Sequence, residues 1–205
     1  IAWMAHELDA ALGDGTLTWS FTIHGFQEFV DESRSQLDRK AASATFVACI
    51  SDFTRSQLMR LTPPELWPRF HVVRVGIDFE QFTYAPRATT HQPLTVLTVG
   101  RLSTEKGHNL LIDAVAALRD AGTDVVLELV GDGEHRQEIE AHARTAGVAD
   151  RVIFHGEEPP AIVAKRLADA DVFCLPSFAE GLPVSIMEAM AVGTPVVTTY
   201  VSGIP

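Results

Sequence analysis

The stretch Leu94-Thr95-Val96-Leu97-Thr98-Val99-Gly100-Arg101-Leu102-Ser103-Thr104-Glu105-Lys106-Gly107 decides the fold. A β-rich run stops at a glycine, a loop carrying Arg101 and Lys106 follows, and Leu111, Val115 and Leu118 then recur at helical spacing. Outward from there the same unit repeats. Val125 to Val130 is a strand ending at Gly131-Asp132-Gly133, and a polar helix is expected from about Glu134 to Ala146. Arg151 to Phe154 reads as a strand, Pro160 to Ala168 as a helix and Val172 to Leu175 as a strand. Pro183 to Ala191 reads as a helix and Pro195 to Thr198 as a last strand. Strand and helix alternate with no hairpin signal. The strands are nearly continuous Val/Leu/Ile runs, as a parallel sheet needs when helices cover both its faces. The pattern is doubly wound α/β, which binds ligands beyond the carboxyl ends of its strands.

The residues before this region follow the same grammar. Ser20 to His24 is a strand that stops at Gly25. Thr45 to Ile50 is a strand that stops at Ser51, which stands where it can cap a helix over Asp52 to Leu61. His71 to Val75 is a strand that stops at Gly76. The pattern then dissolves into Tyr84-Ala85-Pro86-Arg87-Ala88-Thr89-Thr90-His91-Gln92-Pro93. The expected organisation is therefore one domain over residues 1–83, an interdomain linker over 84–93 and a second domain over 94–205. The chain opens on what reads as the middle of a helix and stops at Ser202-Gly203-Ile204-Pro205, directly after a strand. Both domains are expected to be incomplete, in a piece of a longer chain.

With 46% hydrophobic residues, the 205-residue chain has enough apolar material to bury a core. Its formal net charge of −11 repels nucleic acid, so no nucleic-acid partner is expected. An anionic ligand must then be held by local positive charge. Cys49 and Cys174 each sit inside an apolar run and read as buried thiols rather than a disulfide pair, in keeping with a reducing, cytoplasmic setting. No apolar run is long enough to span a bilayer, and no signal-peptide pattern or basic amphipathic helix is present.

Three loops can carry chemistry. In Gly100 to Gly107, Arg101 offers a rigid fork to phosphate oxygens and Lys106 a mobile point charge; a plain solvated turn is the alternative. In Gly131-Asp132-Gly133, two glycines let backbone approach a ligand, although they also make a plain tight turn. The third is Ser177-Phe178-Ala179-Glu180-Gly181-Leu182-Pro183-Val184-Ser185-Ile186-Met187-Glu188. Pro183 suits a first helical turn, so Glu180 falls in the loop and Glu188 on the helix. N–H groups from Gly181 to Val184, with the helix dipole, favour an anion such as a diphosphate. Carboxylates accept hydrogen bonds and so suit hydroxyl-rich ribose or hexose; complementing the dipole is the simpler role. His24 stands with Gly25 at a strand end, and His155-Gly156 is its counterpart in the second half. No metal-ligand set stands out, so no metal is expected. The three-glycine dinucleotide signature is missing too, which weakens a dehydrogenase reading.

Taken together, Gly100-Arg101-Leu102-Ser103-x-Glu105-Lys106-Gly107, Gly131-Asp132-Gly133, Phe154-x-Gly156 and Ser177-x-x-Glu180-Gly181 with Glu188 resemble the core of the family 4 glycosyltransferases. The spacing of Glu180 and Glu188 matches that family's Glu-x7-Glu motif. Phe21 to Gly25, Ile50 to Leu58 and Val75 to Asp78 are similar to its earlier segments, and Ile23 to Gly76 resembles bacterial exopolysaccharide and colanic-acid enzymes. Val75 stands where Asn is commoner. The resemblance implies a GT-B fold of two Rossmann-like domains and a retaining, metal-independent transfer with no cofactor. The donor would be a UDP- or GDP-sugar and the acceptor a glycan or a lipid-linked sugar, with peripheral contact at the inner face of the membrane in the latter case. It further implies that Arg101 and Lys106 hold the diphosphate, Glu188 the ribose and Glu180 the donor sugar. Gly181 and Leu182 would lend backbone N–H groups beside Pro183, Gly100, Gly131, Gly133 and Gly156 would line the nucleotide, and His24 would reach the transferred sugar. A nucleotide-sugar 2-epimerase and a non-catalytic nucleotide-sugar-binding domain are the rivals.

Overall fold

The computed structural model describes residues 1–29, 35–84, 86 and 92–205. The proposed linker 84–93 therefore falls mostly outside the described residues. The chain divides into two compact units. The first comprises Ile1–Val75, Glu180–Leu182 and Ser202–Pro205, and the second Gly76–Ala179 and Pro183–Val201.

The first unit is built on three parallel strands in sequential order, β1 (Ser20–Ile23), β2 (Phe46–Cys49) and β3 (Phe70–Val72). Among the described residues its α-helices are α1 (Ala2–Leu12), α2 (Leu37–Ser43) and α3 (Asp52–Leu61). Ile23, Val47, Cys49, Leu58 and Phe70 form the core, with Trp19 stacked on Phe21 at 5.2 Å. Ser51 caps α3 as expected: its hydroxyl accepts the Thr54 N–H at 3.2 Å, while the Thr54 hydroxyl accepts the Ser51 N–H at 3.1 Å. The strand expected over His71 to Val75 stops early. Its last ladder bond runs from the Val73 N–H to the Cys49 carbonyl, because β2 gives way there to the turn into α3. Burial pushes the Cys49 thiol up to about 11.

The second unit carries β4 (Leu94–Val99), β5 (Val125–Val130), β6 (Val152–Gly156), β7 (Val172–Leu175) and β8 (Val196–Thr198). All pair in parallel, in the order β6-β5-β4-β7-β8. The chain moves outward one way from β4 and then the other way from β7, so the topological switch point lies between those two strands. Helices α4 (His108–Asp120) and α5 (Arg136–Thr145) cover one face, where Ile112, Val115 and Ile139 meet Leu127 and Leu129. Helix α6 (Pro160–Asp169) lies on the other face, because its Arg166 reaches Glu128, whose side chain points away from that of Leu127; α7 (Val184–Val192) packs beside α6. The buried stripe of α4 is Leu111, Ile112 and Val115. Leu118, expected on it, is 40% exposed in the last turn before the helix ends at Asp120.

Candidate functional site

Three loops of the second unit converge at the carboxyl ends of β4, β5 and β6. The Gly100 N–H donates to the Val130 carbonyl at 2.9 Å, Leu102 to the Asp132 carbonyl at 3.0 Å, and Gly131 to the Gly156 carbonyl at 2.7 Å. Gly131 holds φ near +128°, and a Cβ there would collide with the Gly100 carbonyl, so only glycine permits this approach. The loops enclose a hollow of about 340 Å³ lined by Arg101, Gly131, Asp132, Gly133 and Glu157. The hollow thus brings together Arg101 and the Gly131-Asp132-Gly133 turn, all singled out in the sequence. Lys106 and Glu188 are not in its lining. Lys106 ends the helical turn Thr104–Lys106 and lays its chain near Gly100.

Glu157 is the lining residue that the sequence did not reveal. It follows His155-Gly156 at the end of β6, and its side chain type belongs to no motif. The only signal was positional, since it too lies just past a strand's carboxyl end. Its neighbour His155 is turned onto the sheet, where Nε2 meets Glu128 at 2.9 Å. Asp132 is held by two contacts, accepting the Gly133 N–H at 2.8 Å and facing Arg136 at 3.4 Å.

Across the switch point, the loops after β4 and β7 are tied together. The Phe178 N–H donates to the Glu105 carbonyl at 2.7 Å. Gly107, in the left-handed region, lies so close to the Pro176 carbonyl that a side chain would not fit. Helix α7 starts after Pro183 with no side-chain cap, and the Ile186 N–H donates to the Pro183 carbonyl at 3.2 Å. Glu188 is half-buried in its second turn, and burial raises its carboxyl above the ordinary range.

His24 and Glu180 belong to the first unit. His24 is exposed at the end of β1, and its neighbour Gly25 donates its N–H to Glu28 at 3.4 Å. Burial raises the Glu28 carboxyl. Gly181 packs against the His24 carbonyl so closely that any side chain would clash, and the Ser51 hydroxyl donates to the Gly181 carbonyl at 2.9 Å. The Gly203 N–H donates to the Glu180 carbonyl at 3.1 Å, and Glu180 is 7% exposed. Leu182 is half-buried. Among the described residues no group of three or more His, Cys, Asp or Glu side chains is arranged to hold a metal, and no helix is long and apolar enough to cross a membrane.

The family described as glycosyl transferases group 1 matches residues 82–205. The amylovoran biosynthesis glycosyltransferase AmsK of Erwinia amylovora is 32% identical over 185 residues, covering 87% of this chain and 45% of that protein. The GDP-mannose-dependent alpha-(1-6)-phosphatidylinositol monomannoside mannosyltransferase of Mycolicibacterium smegmatis is 30% identical over 189 residues, covering 84% of this chain and 49% of that one. The chain thus spans less than half the length of these curated relatives. Among solved structures, Anabaena Alr3699/HepE in complex with UDP-glucose matches with a TM-score of 0.80 at 22% identity, over 98% of this chain and 58% of that one. Sucrose-phosphate synthase from Thermosynechococcus elongatus matches with a TM-score of 0.80 at 23% identity, over 98% of this chain and 54% of that one. At such identities the structural likeness speaks for the fold.

Proposed function

The chain belongs to the glycosyl transferases group 1 family, and from that premise we propose that it is part of a retaining glycosyltransferase. Its fold is of the α/β GT-B class. The enzyme moves a hexose from a UDP- or GDP-sugar to a glycan or lipid-linked acceptor in polysaccharide biosynthesis, without a cofactor or metal. Residues 1–83 then belong to the acceptor domain, 84–93 to the linker and 94–205 to the nucleotide-sugar domain.

The observation that carries this reading is the hollow at the strand ends, where Arg101 lies beside a wall of two glycines. A guanidinium there suits a diphosphate, and bare backbone lets the nucleotide come close. In the reaction the bond between the anomeric carbon and the diphosphate oxygen breaks and its electron pair leaves with the diphosphate. The acceptor oxygen bonds to the anomeric carbon from the same face, and its proton passes to a phosphate oxygen. Negative charge on the leaving group grows toward the transition state, so Arg101, Lys106 and the start of α7 act most strongly there. Glu188 holds ribose hydroxyls, while Glu180 and His24 hold the donor sugar.

Thermal melts of the chain with UDP, GDP and ADP test the reading. A ligand at a hundred times its Kd stabilises the folded state by about 2.7 kcal/mol, so a bound nucleotide raises Tm measurably. If none of the three moves Tm at millimolar concentration, the donor assignment falls.

A further inference from the structure

Asp132 and Glu157 both line the hollow at the strand ends, but they differ in what already engages them. Both oxygens of Asp132 are taken: one accepts the Gly133 N–H at 2.8 Å and the other faces Arg136 at 3.4 Å. Arg136 is itself held, with Nε on Glu140 at 3.0 Å and its guanidinium 5.5 Å from the centre of the Phe154 ring. Glu157 and Arg101, by contrast, are exposed, and neither has a hydrogen-bond or ion-pair partner among the described residues. The hollow therefore offers a ligand one uncommitted cation and one uncommitted carboxylate.

The backbone beneath Glu157 is anchored on both sides. Before it, the Gly156 carbonyl accepts the Gly131 N–H at 2.7 Å, and the His155 ring lies on Glu128. After it, Glu158 is gripped by Arg166, whose Nη2 donates at 2.8 Å, and this pairing holds the Glu158 carboxyl below its ordinary range. A loop tied down in this way has little ordering left to undergo when a ligand docks on the free acid between the two ties.

The chemistry of a carboxylate separates the nucleobases, because it accepts hydrogen bonds and donates none. Guanine presents two donors side by side, the ring N1–H and the 2-amino group, spaced to meet both carboxylate oxygens. Uracil presents one N–H flanked by two carbonyl oxygens, which a carboxylate repels. Adenine sets its amino group beside an unprotonated ring nitrogen, so one carboxylate oxygen would face a lone pair. We propose that Glu157 is the base-selecting residue of the nucleotide site. Its carboxylate takes the N1–H and 2-amino groups of guanine while Arg101 takes the diphosphate, and the donor is a GDP-sugar. This rests on the reading of the hollow as the nucleotide site.

Isothermal titration of the full chain with GDP, inosine diphosphate and UDP, in EDTA, tests it. Inosine diphosphate differs from GDP in lacking the 2-amino group. The unaltered chain should bind GDP about tenfold more tightly than inosine diphosphate, the worth of one hydrogen bond to a charged acceptor, and should bind UDP more weakly than GDP. Glu157→Ala should bring GDP and inosine diphosphate to within about threefold of each other. The ratio is the readout because removing an acid strengthens the pull of Arg101 on every diphosphate alike. Glu157→Ala should also melt where the unaltered chain does, since the side chain is exposed. An unchanged ratio in Glu157→Ala overturns the proposal, and so does an equal weakening of both purine nucleotides, which would place the acid on the ribose. Tighter binding of UDP than of GDP sinks the proposal and leaves the nucleotide site standing, whereas binding of none of the three ends both.

Discussion

Arg101 carries a positive charge on a planar fork, and it lines the hollow at the strand ends with its side chain exposed. Under the proposed mechanism its removal takes away one fixed charge facing the leaving group. Arg101→Ala in the complete enzyme should lower kcat by about 10²–10³, a barrier increase on the order of 2–4 kcal/mol, as when one oxyanion donor is lost. Steady-state kinetics on purified protein would measure it, and wild-type turnover would remove Arg101 from the mechanism. His108 yields a pH prediction. Its folded value, near 4, lies below its ordinary 6.5, because burial disfavours the charged ring. Between those two values the unfolded chain binds the extra proton, so stability is full above pH 6.5 and is lost as pH falls toward 4. The loss is roughly 3 kcal/mol, because each pH unit between the two values contributes about 1.36 kcal/mol. Urea melts from pH 7 to 4 should show that slope in the wild type and a smaller one in His108→Phe. At this scale the sequence was readable where chemistry needs a distinctive residue type, as at Arg101 or Gly131. It was silent at Glu157 and His108, whose significance comes from a hollow and a burial that no local pattern encodes.

The elements followed from periodicity wherever one face was unambiguous. β4, β5 and β7 lie where continuous apolar runs placed them, because strands covered on both faces leave no room for polar residues. Differences arose where a neighbour sets the boundary. The third strand ends at Val72 because its partner runs out, and the short helix α2 carries too few turns to display a stripe. Ser51 joins two tasks, capping α3 and donating to the Gly181 carbonyl, of which only the first is written locally. Ser51→Ala should therefore cost more than a cap alone, which is typically worth about 1 kcal/mol. A chemical melt of Ser51→Ala measures the loss, and a cost no larger than a cap's about 1 kcal/mol would deny the second task.

At the scale of the whole molecule, membership of a doubly wound class was legible because alternation of strand and helix repeats along most of the chain. The destination of residues 180–182 was not, since packing against His24 and Ser51 is a contact across more than a hundred positions. The path of the chain has a practical outcome. The backbone passes from one unit to the other after Val75, Ala179, Leu182 and Val201. An engineered protease site at Gly76–Asp78 should then give two pieces that still co-elute on native gel filtration and come apart only in denaturant. Separate elution would contradict it. For anyone hoping to harvest the second unit as a reagent, scissors after Val75 are the wrong tool. The excised piece would carry away the Gly181 strip and leave its seat empty, so a usable split protein has to be redrawn around that excursion.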